Sequence, residues 1–64
     1  MTLDDLIRYG EVELAMVDGR VCLGFKPGAE LIARGVMWDY YFGETVGECV
    51  AQISGVILHT ICTQ

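Results

Sequence analysis

The dipeptide Asp18-Gly19 constrains the fold more than any other feature of this chain, because it lies at the centre of EVELAMVDGRVCLGFK, residues 11–26. Asp-Gly is a preferred central pair of a type I′ turn, which joins two antiparallel strands through a two-residue loop. Such a turn also sets the register, since the numbers of opposed residues then sum to 37. Three apolar pairs share one face in this register: Met16 with Val21, Leu14 with Leu23, and Val12 with Phe25.

The opposite face of this hairpin is small and mildly polar. It carries Glu13, Ala15, Cys22 and Gly24. Such a face either meets solvent or accepts a closely approaching backbone. Beyond Glu13, Glu11 lies opposite Lys26 and adds a pair of opposite charges across the strands.

A third strand is predicted in GVMWDYYFG, residues 35–43, because apolar and aromatic residues alternate between two glycines. Val36, Trp38, Tyr40 and Phe42 occupy one side of this strand. We expect that side to join the apolar face of the hairpin. The residues left outward are then Asp39 and Tyr41.

Two short helices are predicted outside the sheet. Thr2 is a good N-cap and Asp5 follows three residues later, which indicates a helix over residues 3–9 that stops at Gly10. For residues 26–35 two interpretations compete. A turn at Pro27 and Gly28 would lead into a strand, whereas helix-forming residues favour a helix over residues 29–34, closed by a glycine.

The C-terminal segment 46–62 is predicted to be an amphipathic helix that begins with a capping box of Thr45 and Glu48. Its apolar stripe is broad enough to cover a three-stranded sheet. The stripe consists of Val46, Cys49, Val50, Ile53, Val56, Ile57 and Ile61. A membrane span is the rival interpretation, but burying Glu48 and His59 in lipid would cost several kcal/mol, so we expect none.

Together these elements predict an α+β fold over residues 1–64 as a single small domain. A β-hairpin and one further strand form a three-stranded antiparallel sheet. The C-terminal helix packs against the sheet, and a short helix precedes it.

Self-association is predicted from the excess of apolar residues. In a chain of 64 residues, 53% are hydrophobic, and a monomer of this size has too little interior to bury them. We expect a homo-oligomer, most simply a two-fold dimer. Its interface is placed on a flank of the C-terminal helix where residues are small or apolar: Gly47, Ala51, Ser54, Leu58 and Cys62.

The net charge of −5 opposes binding to nucleic acids and to anionic membranes. Three cysteines without paired spacing, and no preceding signal peptide, fit a reducing cytoplasm. We expect Cys22, Cys49 and Cys62 to be buried as small hydrophobic residues.

No residue pattern indicates catalysis, a cofactor or a metal. His59 and Cys62 are three residues apart and could share a metal ion, but no further ligand lies near them in the sequence. We therefore expect a non-enzymatic binding protein. Its contact residues are predicted from charge and outward orientation to be Arg34, Asp39, Tyr41, Glu11 and Glu13.

Two functions compete on this basis. The favoured one is stoichiometric binding to a protein partner, and the alternative is sequestration of a nucleotide-like ligand between subunits. In size and charge the chain resembles the small acidic inhibitors that phages and other mobile elements make against host defence systems, such as anti-CRISPR proteins. That resemblance implies an inhibitor and assigns no residue a role.

Overall fold

The computed structural model of the protein describes residues 1–62. It contains α1 (Leu3–Tyr9), β1 (Gly10–Val17), β2 (Arg20–Pro27), α2 (Ala29–Ala33), β3 (Asp39–Gly43) and α3 (Val46–Cys62). The strands form one antiparallel sheet in the order β1-β2-β3, and α3 packs across β2 and β3. The predicted α+β fold is confirmed.

The hairpin has the predicted register throughout, from Gly10 opposite Pro27 to Val17 opposite Arg20. At its turn, Asp18 and Gly19 both have positive φ angles, 51° and 78°. Positive φ at both central residues is the requirement of a type I′ turn. The local sequence therefore specifies this half of the sheet.

The helix boundaries also follow local signals. The capping box of α1 is complete, because the Asp5 N–H donates to the Thr2 hydroxyl and the Thr2 N–H donates to the Asp5 carboxylate. The Thr2 N–H and the Thr2 hydroxyl both donate to the Asp5 carboxylate, and these two hydrogen bonds lower the pKa of Asp5. At α3 the Glu48 N–H donates to the Thr45 hydroxyl, but the Glu48 carboxylate accepts from the N–H of Glu44 instead of Thr45.

The helical interpretation of residues 29–34 is confirmed, and the strand interpretation is wrong. Gly35 follows α2 with φ 93°, and the Val36 N–H donates to the Leu31 carbonyl oxygen. This is the hydrogen bond of a Schellman motif, which ends a helix at a glycine. It also brings Val36 into the core beside Leu31.

The prediction for the two faces of β3 is wrong. Tyr41 lies opposite Leu23, and Tyr40 lies opposite Gly24. Tyr41 therefore shares the helix-covered face and packs against the core, whereas Tyr40 and Phe42 point to the uncovered face. The prediction failed because Val36 lies in the loop before β3 and not in the strand. Its burial in the core therefore does not determine which side chains of β3 face the core.

The apolar face of the hairpin is buried unevenly. Leu23 and Phe25 of β2 are fully buried, but Leu14 and Met16 of β1 are 47% and 67% exposed. The reason is the position of α3, which covers the central strand β2 and the strand β3. The part of β1 nearest the turn therefore retains an exposed apolar surface.

The buried face of α3 differs from the predicted stripe at two positions. Val56 is 40% exposed, while Ser54 is buried, and the Ser54 hydroxyl has no hydrogen-bond partner among the described residues. Ser54 neighbours Val50 and Ile57 on the helical wheel, so the buried arc extends to include it. The other four residues of the predicted interface flank are exposed: Gly47, Ala51, Leu58 and Cys62.

Within residues 1–62, no helix has the length and apolar character needed to cross a membrane.

Candidate functional site: the open face of the sheet

All three helices contribute to one core on the same side of the sheet. Leu6 of α1 and Leu31 of α2 join Ile53 of α3 in this core, together with Leu23 and Phe25 of β2. In the described part of the chain, the other side of the sheet carries no covering layer. We call it the open face and define it by the outward residues of the three strands: Glu11, Glu13, Ala15, Cys22, Gly24, Lys26, Tyr40 and Phe42.

Two aromatic side chains stand together on the open face. Trp38, just before β3, and Tyr40 are 57% and 51% exposed, and their ring centroids lie 5.8 Å apart at an interplanar angle of 45°. Large aromatic groups with this much exposed surface are typical of binding sites.

Gly24 explains why the Tyr40 ring can lie against the sheet. A Cβ atom at position 24 would come within 3.1 Å and 3.2 Å of the Cε1 and Cδ1 atoms of that ring. The missing side chain at the centre of β2 therefore lets Tyr40 cover the backbone of β2. Gly24 thus lies directly beneath the Tyr40 ring.

A groove of about 290 Å³ runs beside the aromatic pair. It is lined by Glu11, Glu13, Gly24, Lys26, Trp38 and Tyr40. Two carboxylates face one ammonium group across these strands, so the groove has a net negative charge. Glu11 lies opposite Lys26 in the ladder, whereas Glu13 lies opposite Gly24, where no side chain offsets its charge.

Aromatic faces next to carboxylates have a clear chemical preference. The face of an indole or phenol ring attracts a cation through its quadrupole, and a carboxylate binds guanidinium or ammonium groups by charge-assisted hydrogen bonds. The groove therefore favours a positively charged group with a flat or apolar stem, such as an arginine or lysine side chain.

The structure brings together only two of the five predicted contact residues, Glu11 and Glu13. Arg34 forms an ion pair with Glu30 at 3.6 Å and does not line the groove. The Asp39 carboxylate accepts a hydrogen bond from the Tyr40 N–H at 2.8 Å.

Tyr41 lies on the opposite side of the sheet from the groove. It is half-buried, and the pKa of its hydroxyl is raised by burial and, less strongly, by the nearby charge of Asp39. Trp38 and Tyr40 were not among the predicted contact residues, because the alternation around β3 predicted that they lie in the core. Gly24 was the available signal, since a glycine within a strand often marks a close approach by another group.

The cysteines differ in their surroundings, and the prediction that all three are buried is wrong for Cys62, which is exposed. The Cys49 thiol donates to the carbonyl oxygens of Val21 and Tyr41, both at 3.5 Å. Burial raises the pKa of this thiol, and the nearby Cys22 and Glu48 raise it further.

These differences predict a graded reactivity toward a thiol reagent. We expect Cys62 to be labelled first in the native protein, because its thiol is exposed. Cys22 and Cys49 should react only as the protein opens, since both are buried and thiolate is the reactive form. Mass spectrometry of partially labelled protein tests the order. Equally fast labelling of Cys49 would contradict its burial between α3 and the sheet.

In residues 1–62, no group of three or more His, Cys, Asp or Glu side chains is arranged to hold a metal ion. Comparisons with protein-family models, with curated proteins and with solved structures give no match to this chain.

Proposed function

We propose that this chain is a non-catalytic binding protein whose open face captures a cationic segment of a protein partner. The observation that carries the proposal is the groove, where Trp38 and Tyr40 stand beside Glu11 and Glu13. An arginine or lysine side chain inserted there would stack on an aromatic ring while its charged end meets a carboxylate.

The charge of the whole chain supports the same class of partner. A net charge of −5 attracts a basic surface over a distance and raises the rate of encounter, an effect that salt weakens. If the basic surface carries the partner's activity, capture would make this chain a stoichiometric inhibitor. A reducing location such as the cytoplasm is part of the proposal, because Cys22, Cys49 and Cys62 are not joined in disulfides.

The alternative function, sequestration of a nucleotide-like ligand, has less support from the groove. An aromatic pair could stack on a base, but the phosphates would then lie near Glu11 and Glu13, which repel them. Arg34 is the positively charged member of the predicted contact residues, and it forms an ion pair with Glu30 away from the groove.

The test uses Trp38 as a reporter, because it is the only tryptophan of the chain. We expect a short arginine-containing peptide to change the Trp38 fluorescence in a saturable manner, whereas the same peptide with glutamate in place of arginine does not. Raising the salt concentration should weaken the binding. AMP is the probe for the alternative function.

The variant Glu11→Gln/Glu13→Gln should weaken peptide binding about tenfold, since it removes both groove carboxylates. Asp4→Asn/Glu44→Gln is the control, because it removes the same two charges from exposed positions outside the groove. Equal binding by these two variants would show that net charge alone attracts the peptide. A response to AMP in the absence of any response to the arginine peptide would favour the nucleotide function instead.

Trp38→Ala should also weaken binding about tenfold, because it removes the better cation-binding ring. Calorimetric titration measures this variant, which lacks the fluorescent reporter. Met37→Ala is the control, since Met37 is the exposed neighbour and does not line the groove.

A further inference from the structure

The two edges of the sheet differ in how their backbone groups are satisfied. On β3 the outward N–H of Tyr40 donates to the Asp39 carboxylate at 2.8 Å. The outward carbonyl oxygen of Phe42 accepts from the Gln52 side chain at 2.7 Å. Local side chains thus occupy two of the outward backbone groups of this edge, and such protection is one way in which proteins prevent unwanted strand pairing.

The edge formed by β1 is open. The Gly28 N–H donates to the Tyr9 carbonyl oxygen, and these two residues are opposed in the same register as the hairpin. Hydrogen-bonded pairs alternate along an antiparallel ladder, so the odd-numbered residues of β1 direct their backbone groups toward β2. The even-numbered residues Val12, Leu14 and Met16 therefore direct their N–H and C=O groups away from the sheet. No described residue hydrogen-bonds to these groups.

The side chains of the same three residues lie on the helix side of the sheet, and beyond Val12 they are poorly covered, as the exposure of Leu14 and Met16 shows. The open edge thus combines unpaired backbone groups with exposed apolar side chains. We infer that a second copy of this chain pairs with β1 in an antiparallel manner, so that two sheets form one sheet of six strands around a two-fold axis.

Charge and the number of paired residues together select the register of this pairing, because only an axis on Leu14 pairs Val12, Leu14 and Met16 among themselves without opposing carboxylates. The unpaired backbone groups belong to even-numbered residues, so only registers that oppose even-numbered residues can form hydrogen bonds. Centring the axis on Glu13 would place it opposite Glu13 of the partner subunit, and like charges directly opposed are unfavourable. Centring it on Leu14 places Glu13 opposite Ala15 of the partner subunit and Val12 opposite Met16 of the partner subunit, so no carboxylates face one another.

The flank of α3 is the competing surface for self-association, and the chain offers a matched pair of residues to separate the two. Leu14 on β1 is 47% exposed, and Leu58 on the α3 flank is 46% exposed. Lysine at either position is accessible to solvent in the monomer, so both variants should remain folded, which circular dichroism checks. If β1 forms the interface, only Leu14→Lys places two like charges within it.

Sedimentation equilibrium at micromolar concentration is the first test. We expect the wild type to sediment at twice its chain mass of 7.1 kDa. Leu14→Lys should sediment as a monomer, and Leu58→Lys as a dimer. A monomeric wild type would overturn the inference, as would a dimer that Leu58→Lys dissociates and Leu14→Lys leaves intact.

The register is tested by charge at Ala15, which is exposed and lies opposite Cys22 within its own subunit. Ala15→Lys should lower the dimer dissociation constant by about two- to thirtyfold, because each lysine would face Glu13 of the partner subunit. Ala15→Glu should raise it by a similar factor. If Ala15→Lys weakens the dimer, the pairing is centred elsewhere and the proposed register is wrong.

Hydrogen exchange gives a signature that side-chain contacts would not produce. The amides of Val12, Leu14 and Met16 should become protected as protein concentration increases, because their N–H groups donate across the interface. Fast exchange of all three amides in a confirmed dimer would overturn strand pairing. Protection that appears only when an extended peptide from another protein is added would show that the edge accepts a foreign strand instead.

Discussion

Replacing Phe25 with alanine is expected to remove about half or more of the free energy of unfolding. Phe25 is fully buried and belongs to the core beneath α3. Truncating a buried phenylalanine costs about 3–5 kcal/mol, and a chain of 64 residues has a free energy of unfolding of only about 3–10 kcal/mol. Urea unfolding followed by circular dichroism should therefore show a large fall in the urea midpoint.

Phe42→Ala is the matched control for this experiment. Phe42 lies on the open face and is 45% exposed, so its truncation removes far less buried apolar area and should cost about 1 kcal/mol. Urea unfolding at equal protein concentration compares the two variants. If Phe42→Ala were as destabilising as Phe25→Ala, β3 would present its aromatic side to the core, and the open face would not be the binding surface.

Local signals explain why so much of the fold could be predicted. The Asp18-Gly19 turn fixes its own dihedral angles and therefore the register of the hairpin. The caps at Thr2 and Thr45 mark the starts of two helices. These features depend on residues within four positions of one another, so no knowledge of the rest of the chain is needed.

The orientation of β3 could not be predicted for the opposite reason. Which face a strand buries depends on its pairing with β2, where Tyr41 lies opposite Leu23 across the sheet. The residues between Val36 and Asp39 are not in a strand, so the alternation that began at Val36 is interrupted. A shift of one residue moves every side chain of a strand to the other face.

The candidate site follows directly from that orientation. Glu11 and Glu13 were predicted because the hairpin places them on its polar face. Trp38 and Tyr40 join them only when β3 presents Tyr40 to the same side. Of these four groove residues, the two glutamates are specified by local sequence and the two aromatic residues depend on long-range pairing. The sequence alone therefore predicts only the two glutamates.

The exposure of β1 also depends on packing that the sequence does not specify. The apolar pairs of the hairpin indicated a buried face, yet Leu14 remains exposed because α3 lies over the two other strands. The apolar excess that predicted self-association is thus found at two places, on β1 and on the flank that includes Leu58. A substitution at Gly55, one helical turn from Ala51 and Leu58 of that flank, helps to decide which of the two surfaces forms the interface.

A pair of glycine-to-alanine substitutions is expected to change stability in opposite directions. A Cβ atom at Gly10, where α1 meets β1, would collide with the carbonyl oxygen of Lys26 and would lie 3.1 Å from the backbone nitrogen of Gly28. Both obstacles belong to the backbone, so the junction must shift. Gly10→Ala should lower the free energy of unfolding by about 1–3 kcal/mol.

Gly55→Ala should have the opposite effect, because Gly55 lies within α3 and is exposed. Apart from its own neighbours along the helix, no described atom lies within 4 Å of a Cβ at this position. Alanine in a helix interior is more favourable than glycine by about 1 kcal/mol, and urea unfolding measures the gain. Should Gly55→Ala instead weaken a dimer seen by sedimentation, this side of α3 must pack closely on a second chain, and the α3 flank would replace β1 as the interface.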